Sequence, residues 1–303
     1  PPSSLNLREC ALGDAGVALL AASPHICGEA GIAGLSLRQN QLTSAGSGSL
    51  FDNLRKCPKN NLVSLSLDFN PIGDAGVQLF PAYFKERGMN CGGGMEELSL
   101  RFCNLSPVSC RYLSSALLKN SAAASTPSTV VQEGKVEVDP PSSSSSPTTS
   151  TSVRKEGIRR LLLTGNHVGD AGARALASAL RKNCQLEILD LTMCRIGDEG
   201  AKVLTDALLS NTKLRELRLG YNKISEIGVT ALSKLFRESQ EGRLEVLDLS
   251  GNMVGDGGAC ALASALRGSS SRKRRSRSGN SAVGGEGHNN QTPGGGLRRL
   301  NLA

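Results

Sequence analysis

One spacing constrains this chain more than any other feature: Leu-x-x-Leu-x-Leu-x-x-Asn/Cys-x-Leu/Ile/Val, repeated along 303 residues. Clear copies run through Leu62, Leu65, Leu67, Asn70 and Ile72, and through Ile158, Leu161, Leu163, Asn166 and Val168. Three more begin at Leu186, Leu214 and Leu244. The starts Ile158, Leu186 and Leu214 are 28 residues apart, and Leu244 follows after 30. Weaker copies start at Ile32 and Met95, and partial ones cover 5–12 and 297–302, about nine in all. A fixed period of this length marks stacked units, each contacting its neighbours, rather than one globular core.

Each part of the unit has a physical reading. Leu-x-Leu has a period of two, so both leucines point to one face of a short strand. The Asn or Cys that follows can satisfy backbone groups where the chain leaves the strand. Next comes Gly-Asp-x-Gly, at Gly73–Gly76 and again at 169–172, 197–200 and 255–258. The first Gly permits a turn, and the Asp is expected to cap the helix that it opens. The helix carries small and apolar residues on one side, as with Ala173, Leu176, Ala177 and Leu180.

These motifs resemble the ribonuclease-inhibitor-like leucine-rich repeats, the type also found in NOD-like receptors and in the Ran GTPase-activating protein. The resemblance implies the α/β class: residues 1–303 as a single solenoid fragment, a horseshoe with a parallel sheet on its concave face and helices on its convex face. Functionally it implies a protein-protein interaction scaffold or sensor without catalysis. A GTPase activator of the Ran type and a structural part of a cytoskeletal or ciliary assembly are the alternatives. Members of the GTPase-activator family are strongly acidic with an acidic tail. This chain has a formal charge of +8, and none of that family's functional residues can be carried over.

Two stretches break the period. Residues 121–157 are rich in Ser, Thr and Pro, and 268–296 in Ser, Gly and Arg. Both are expected to lack regular structure, because neither has the apolar content for a core. Both lie between a helix end and a strand start, so they are expected to fringe one rim. The run 271–278 holds Arg272, Lys273, Arg274, Arg275 and Arg277. It reads as a targeting signal, a kinase site, a weak RNA contact or simply a solvated loop. No aromatic residue is interleaved with it, so nucleic acid is not the expected partner.

Composition narrows the reading further. There is no Trp, with three Tyr and six Phe, so the core is expected to be built from Leu, Val, Ile and Ala. The nine Cys are odd in number and show no CxxC pair. They are read as reduced thiols of an intracellular, cytoplasmic chain, with nuclear or ciliary/cytoskeletal placement as variants. No apolar run is long enough for a membrane span. No catalytic or metal-binding constellation is evident, and no cofactor is expected.

Function is therefore expected on the exposed side of the strands. Positions beside and just after the leucines bring out Arg8, Arg38, Asp68, Arg101, Asp190, Arg218 and Asp248, with Phe69, Phe102 and Tyr221 at the strand exits. Thr164, Thr192, Glu216, Val246 and Arg299 occupy the same face. Arginine with aromatic residues is the usual composition of a protein-binding hot spot. A partner protein with an acidic surface is the expected ligand, and the chain is expected to be part of a larger chain or complex.

Overall fold

The computed structural model describes residues 4–27, 31–57, 60–90, 94–123, 157–182, 185–238, 244–278 and 297–302. Among these residues, nine three-residue strands form one parallel sheet in sequence order. They are β1 (Ser4–Asn6), β2 (Gly34–Ser36), β3 (Ser64–Ser66), β4 (Glu97–Ser99), β5 (Arg160–Leu162), β6 (Ile188–Asp190), β7 (Glu216–Arg218), β8 (Val246–Asp248) and β9 (Arg299–Asn301). The central leucines are in register from Leu5 through Leu35, Leu65, Leu98 and onward to Leu300. Helices return the chain between strands: α1 (Gly13–Ala21), α2 (Pro24–Cys27), α3 (Ser44–Lys56), α4 (Gly73–Gly76), α5 (Phe80–Asn90), α6 (Pro107–Ala123), α7 (Gly169–Arg181), α8 (Asp198–Leu208), α9 (Glu226–Glu238) and α10 (Gly255–Ser278). This is the leucine-rich-repeat solenoid that the spacing implies.

The leucine pairs are sealed between sheet and helices. Leu65, Leu67, Leu189, Leu191, Leu217 and Leu219 are all fully buried and belong to one continuous core. Beneath α7 and α8 the filling is Leu and Ala, as expected. Under α3 and α5 it is not. Phe51, Phe80, Tyr83 and Phe84 are buried there, with Phe51 and Phe80 centroids 3.9 Å apart and Tyr83 edge-on to Phe84 at 5.0 Å. The scarce aromatic residues are thus concentrated in one part of the core. In the same repeat the helix is interrupted between α4 and α5. Pro81 has no N–H to give to a carbonyl one turn back, which breaks the ladder.

The Asn/Cys position works as a ladder between repeats. Asn70 Oδ1 accepts from Asn40 N and Leu42 N of the preceding repeat, while its Nδ2 donates to Leu37 O and Leu67 O. Asn166 and Asn222 repeat the arrangement. Cysteine keeps only half of it. Cys103 Sγ donates to Leu67 O and accepts from the backbone N–H of Asn70, while Ile72 N turns to Asn70 O instead. Burial pushes the Cys103, Cys110 and Cys194 thiols up to about 12, so they stay protonated.

The aspartates do not cap their own helices, contrary to expectation. Val168 and Ile72 precede α7 and α4 with no side-chain cap bond. The Asp reaches instead to the helix start of the next repeat. Asp14 accepts from Thr43 N and Oγ1, and Asp74 from Ser106 N and Oγ and from Ser109 N. Asp170 accepts from Gly197 N and Gly200 N, and Asp198 from Ser225 N and Oγ and from Gly228 N. The second Gly of the motif now has a reason. A Cβ on Gly200 would lie 2.4 Å from Asp170 Oδ1, and one on Gly228 would lie 2.5 Å from Asp198 Oδ1. The motif is read across repeats: its Asp points forward, and its glycine receives the Asp from behind.

The expected inserts fall mostly outside the described residues. Where they are described, the structure departs from the expectation. Helix α6 reaches Ala123, and α10 continues to Ser278, so the basic run lies on a helix. Extending an existing helix adds one hydrogen bond per residue fixed. Cys57 is disulfide-bonded, which corrects the expectation of uniformly reduced thiols. Cys10, Cys103, Cys110, Cys194 and Cys260 are free. Among the described residues no helix is long and apolar enough to cross a membrane.

Candidate functional site

The strand leucines commit one face to the core, so alternate residues must face the other way. On that side lies an open hollow of about 550 Å3. Its lining takes side chains from eight successive repeats, from Arg38 beyond β2 to Arg299 on β9. Arg38, Phe69, Arg101, Phe102, Asp190, Arg218 and Asp248 all contribute, with Thr164, Thr192, Glu216, Val246, Arg299 and Asn301. Asn301 is the residue that sequence reasoning missed. It stands between Leu300 and Leu302, the outward slot of the ninth repeat, and the same alternation could have found it.

The strand exits have a backbone of their own. Glu9, Gln39, Phe69, Phe102, Met193 and Tyr221 all take φ between 52° and 59°. Gly165 and Gly251 hold the same place at 75° and 64°. The left-handed conformation turns the rings of Phe69, Phe102 and Tyr221 toward the next repeat. Phe69 stacks on Phe102 with centroids 4.6 Å apart and planes 22° apart. Phe102 lies over Gly165, where a Cβ would come within 2.3 Å of the ring, and Tyr221 lies over Gly251 in the same way at 2.6 Å. At the other end the Arg38 guanidinium sits 4.3 Å from the Phe69 centroid. Arg38, Phe69 and Phe102 therefore form one continuous stack, and both rings are 38% exposed.

Charge is distributed unevenly along this face. Arg218 is held by Glu216 at 2.6 Å and Asp190 at 3.4 Å. Burial pulls the Arg218 pKa down, but these two carboxylates outweigh it and raise it. Arg101 reaches Asp190 only at 3.9 Å, and its Nε is buried without a partner. Arg38 Nε is likewise unpartnered, and among the described residues Arg38 forms no ion pair. Asp68 does not help: it is 5% exposed and occupied by Ser99 Oγ at 2.6 Å and Arg101 N at 2.8 Å. The sequence-predicted residues thus separate. Asp68 and Asp190 are buried and brace neighbouring strands. Arg8 lies past β1, pairs with Glu9 at 2.8 Å and is outside the hollow, as is Tyr221 on the exposed rim.

Among the described residues no three His, Cys, Asp or Glu side chains gather as metal ligands would. The hollow contains arginines, carboxylates, rings and hydroxyls, an arrangement suited to contact with another surface.

Comparison with known proteins accords with this geometry. A leucine-rich-repeat family model matches residues 3–21, 59–80, 158–177, 182–204, 210–233 and 244–263. The chain is similar to the ribonuclease inhibitors of Sus scrofa and Mus musculus, at 31% identity over 195 residues in each case. The match takes in 63% of this chain and 33% of each inhibitor, so the chain spans about a third of the length of the curated relatives it matches. Among solved structures, one titled Leiomodin-1 Actin-Binding Site 2 superposes with a TM-score of 0.33 and 22% identity, over 42% of this chain and 72% of that one. That superposition is too loose to bear on function.

Proposed function

Because this chain is a leucine-rich-repeat protein of the ribonuclease-inhibitor-like type, we propose that it is a non-catalytic interaction scaffold or sensor module that engages a partner protein through its concave face. The observation that carries this reading is the hollow itself: a surface drawn from eight repeats, with partly exposed rings and incompletely neutralised arginines at one end. The relatives' name supports it, since a ribonuclease inhibitor acts on another protein. The incompletely neutralised cations favour a partner whose facing surface is acidic, because complementary charge suppresses wrong partners and speeds encounter.

The test is a pull-down comparing the intact chain with a folded Arg38→Glu, Arg101→Glu variant and with Arg174→Glu on the convex side, where Arg174 is 61% exposed. Partners lost from the first variant and retained by the second are expected. An identical partner list for all three proteins overturns the concave-face reading. A GTPase-stimulation assay on the captured partners separates the scaffold from the activator alternative.

A further inference from the structure

The concave-face reading leaves open which part of the face recognises, and what it recognises. The two halves of the hollow differ in what they leave unsatisfied. Toward the C-terminal repeats, Arg218 is neutralised by Glu216 and Asp190. Toward the N-terminal repeats, Arg38 packs on the Phe69 ring and forms no ion pair among the described residues, and Arg101 has a long contact to an aspartate that Arg218 already holds. The one carboxylate between them, Asp68, is taken up by a hydroxyl and a backbone N–H. Two cationic groups without a close counter-charge therefore flank two stacked rings.

The stack is also built in advance. Left-handed backbone at residues 69 and 102 aims both rings along the solenoid, and the lack of a side chain at Gly165 makes room for the second ring to lie flat. A guanidinium set over a ring has its face covered and can still offer terminal N–H groups to an acceptor. A preformed array of this kind loses little conformational freedom on binding.

Resting on the concave-face reading, we propose that the Arg38–Phe69–Phe102 stack with Arg101 beside it is the recognition element of this surface, and that it takes a partner segment in which an acidic side chain stands next to an aromatic one. The carboxylate meets the arginine N–H groups while the aromatic group packs against the ring edges that the stack leaves exposed. Acidity alone is not enough, because a point charge leaves the exposed ring edges in water. An aromatic residue alone leaves both guanidinium groups unanswered.

The experiment uses the whole chain labelled with [15N]arginine, titrated to millimolar levels with three short peptides on one Gly/Ser framework. Their centres are Glu-Phe-Glu, Glu-Ser-Glu and Lys-Phe-Lys, and the readout is the Nε–H signals of Arg38 and Arg101, assigned from R38K and R101K. The expected result is saturable shifts of both signals with the Glu-Phe-Glu peptide only. R38K, which keeps the charge but loses the planar stack, is expected to weaken binding about tenfold, and F69A similarly. A melting curve confirms that each variant is folded. Equal binding of Glu-Ser-Glu, an unchanged affinity in R38K, preference for Lys-Phe-Lys, or no shift with any peptide overturns the proposal. If the pull-down still depends on Arg38 and Arg101 in that last case, the concave-face reading stands and only the acidic–aromatic chemistry falls.

Discussion

Between β2 and β4 the layer beneath the sheet holds a cluster of rings among its leucines; under α7 and α8, between β5 and β7, it is filled mainly by leucine and alanine. The N-terminal part has a broken helix, a cluster of Phe51, Phe80, Tyr83 and Phe84, and unequal repeat lengths. The C-terminal part runs at 28 residues per repeat from Ile158 to Leu214, with small residues letting helix and sheet approach. The same contrast appears on the concave side, where the N-terminal repeats expose a stack with incompletely neutralised arginines and the C-terminal repeats settle their charges internally. One repeat pattern therefore tolerates two packing solutions. The irregular one is also where arginines on this face remain incompletely neutralised.

The contrast can be broken first from the regular side. Leu189 is fully buried in the continuous core, and Leu189→Asp places a charge there without a partner. The expected cost is several kcal/mol, on the order of 3–5. Because each repeat leans on its neighbours, hydrogen exchange is expected to accelerate in β5 to β7 together. A melt like that of the parent would show the register to be wrong.

Phe80→Ala probes the other solution. Removing a ring packed at 3.9 Å from Phe51 is expected to cost about 3–5 kcal/mol. Loosening should be confined to α3, α5 and α6, leaving α7 and α8 protected. Exchange spreading equally to both halves would remove the distinction drawn between them.

A smaller effect tests the links common to both halves. Asp198→Ala deletes the acceptor for Ser225 and Gly228 and is expected to lower stability by about 1–2 kcal/mol in a denaturant titration. The same links define a pH dependence. Burial raises the carboxyl pKa of Asp14, Asp74 and Asp198, but the hydrogen bonds from the following repeat outweigh it and hold each below 3.8. A depressed folded-state pKa stabilises the fold above the unfolded value and is lost as pH falls through the folded one. Melting temperature is thus expected to be level near neutrality and to fall progressively below about pH 4. Asp198→Ala should flatten part of that fall.

The smallest effect is chemical rather than energetic. Cys10 and Cys260 are exposed and free, whereas Cys103, Cys110 and Cys194 are buried and protonated. Of these five, only Cys10 and Cys260 should react with iodoacetamide before denaturation, as read by peptide mass spectrometry. Labelling of Cys103 in the native chain would place the ladder position in solvent.

Much of this was legible in the residues alone. The strand at each Leu-x-Leu, the parallel order and the inward leucines follow from periods of 2 and 28, because periodicity dictates which side chains share a face. Alternation also placed Arg38, Arg101, Arg218 and Asp248 on the concave side, where they line the hollow. The partners of Asp68 and Asp14 lie about 30 residues away in sequence, one repeat further on, so no local rule could assign them. A local rule made Asp a cap for its own helix, whereas stacking turned it toward the next.

Within one repeat, sequence determined what each residue could be: strand or helix, inside or outside, turn or cap. Only the stacking decided to whom each was bound. It chose which arginine is neutralised, which ring lies over which glycine and which thiol is sealed. Those outcomes depend on distances between repeats, and the pattern of a single repeat contains none of them.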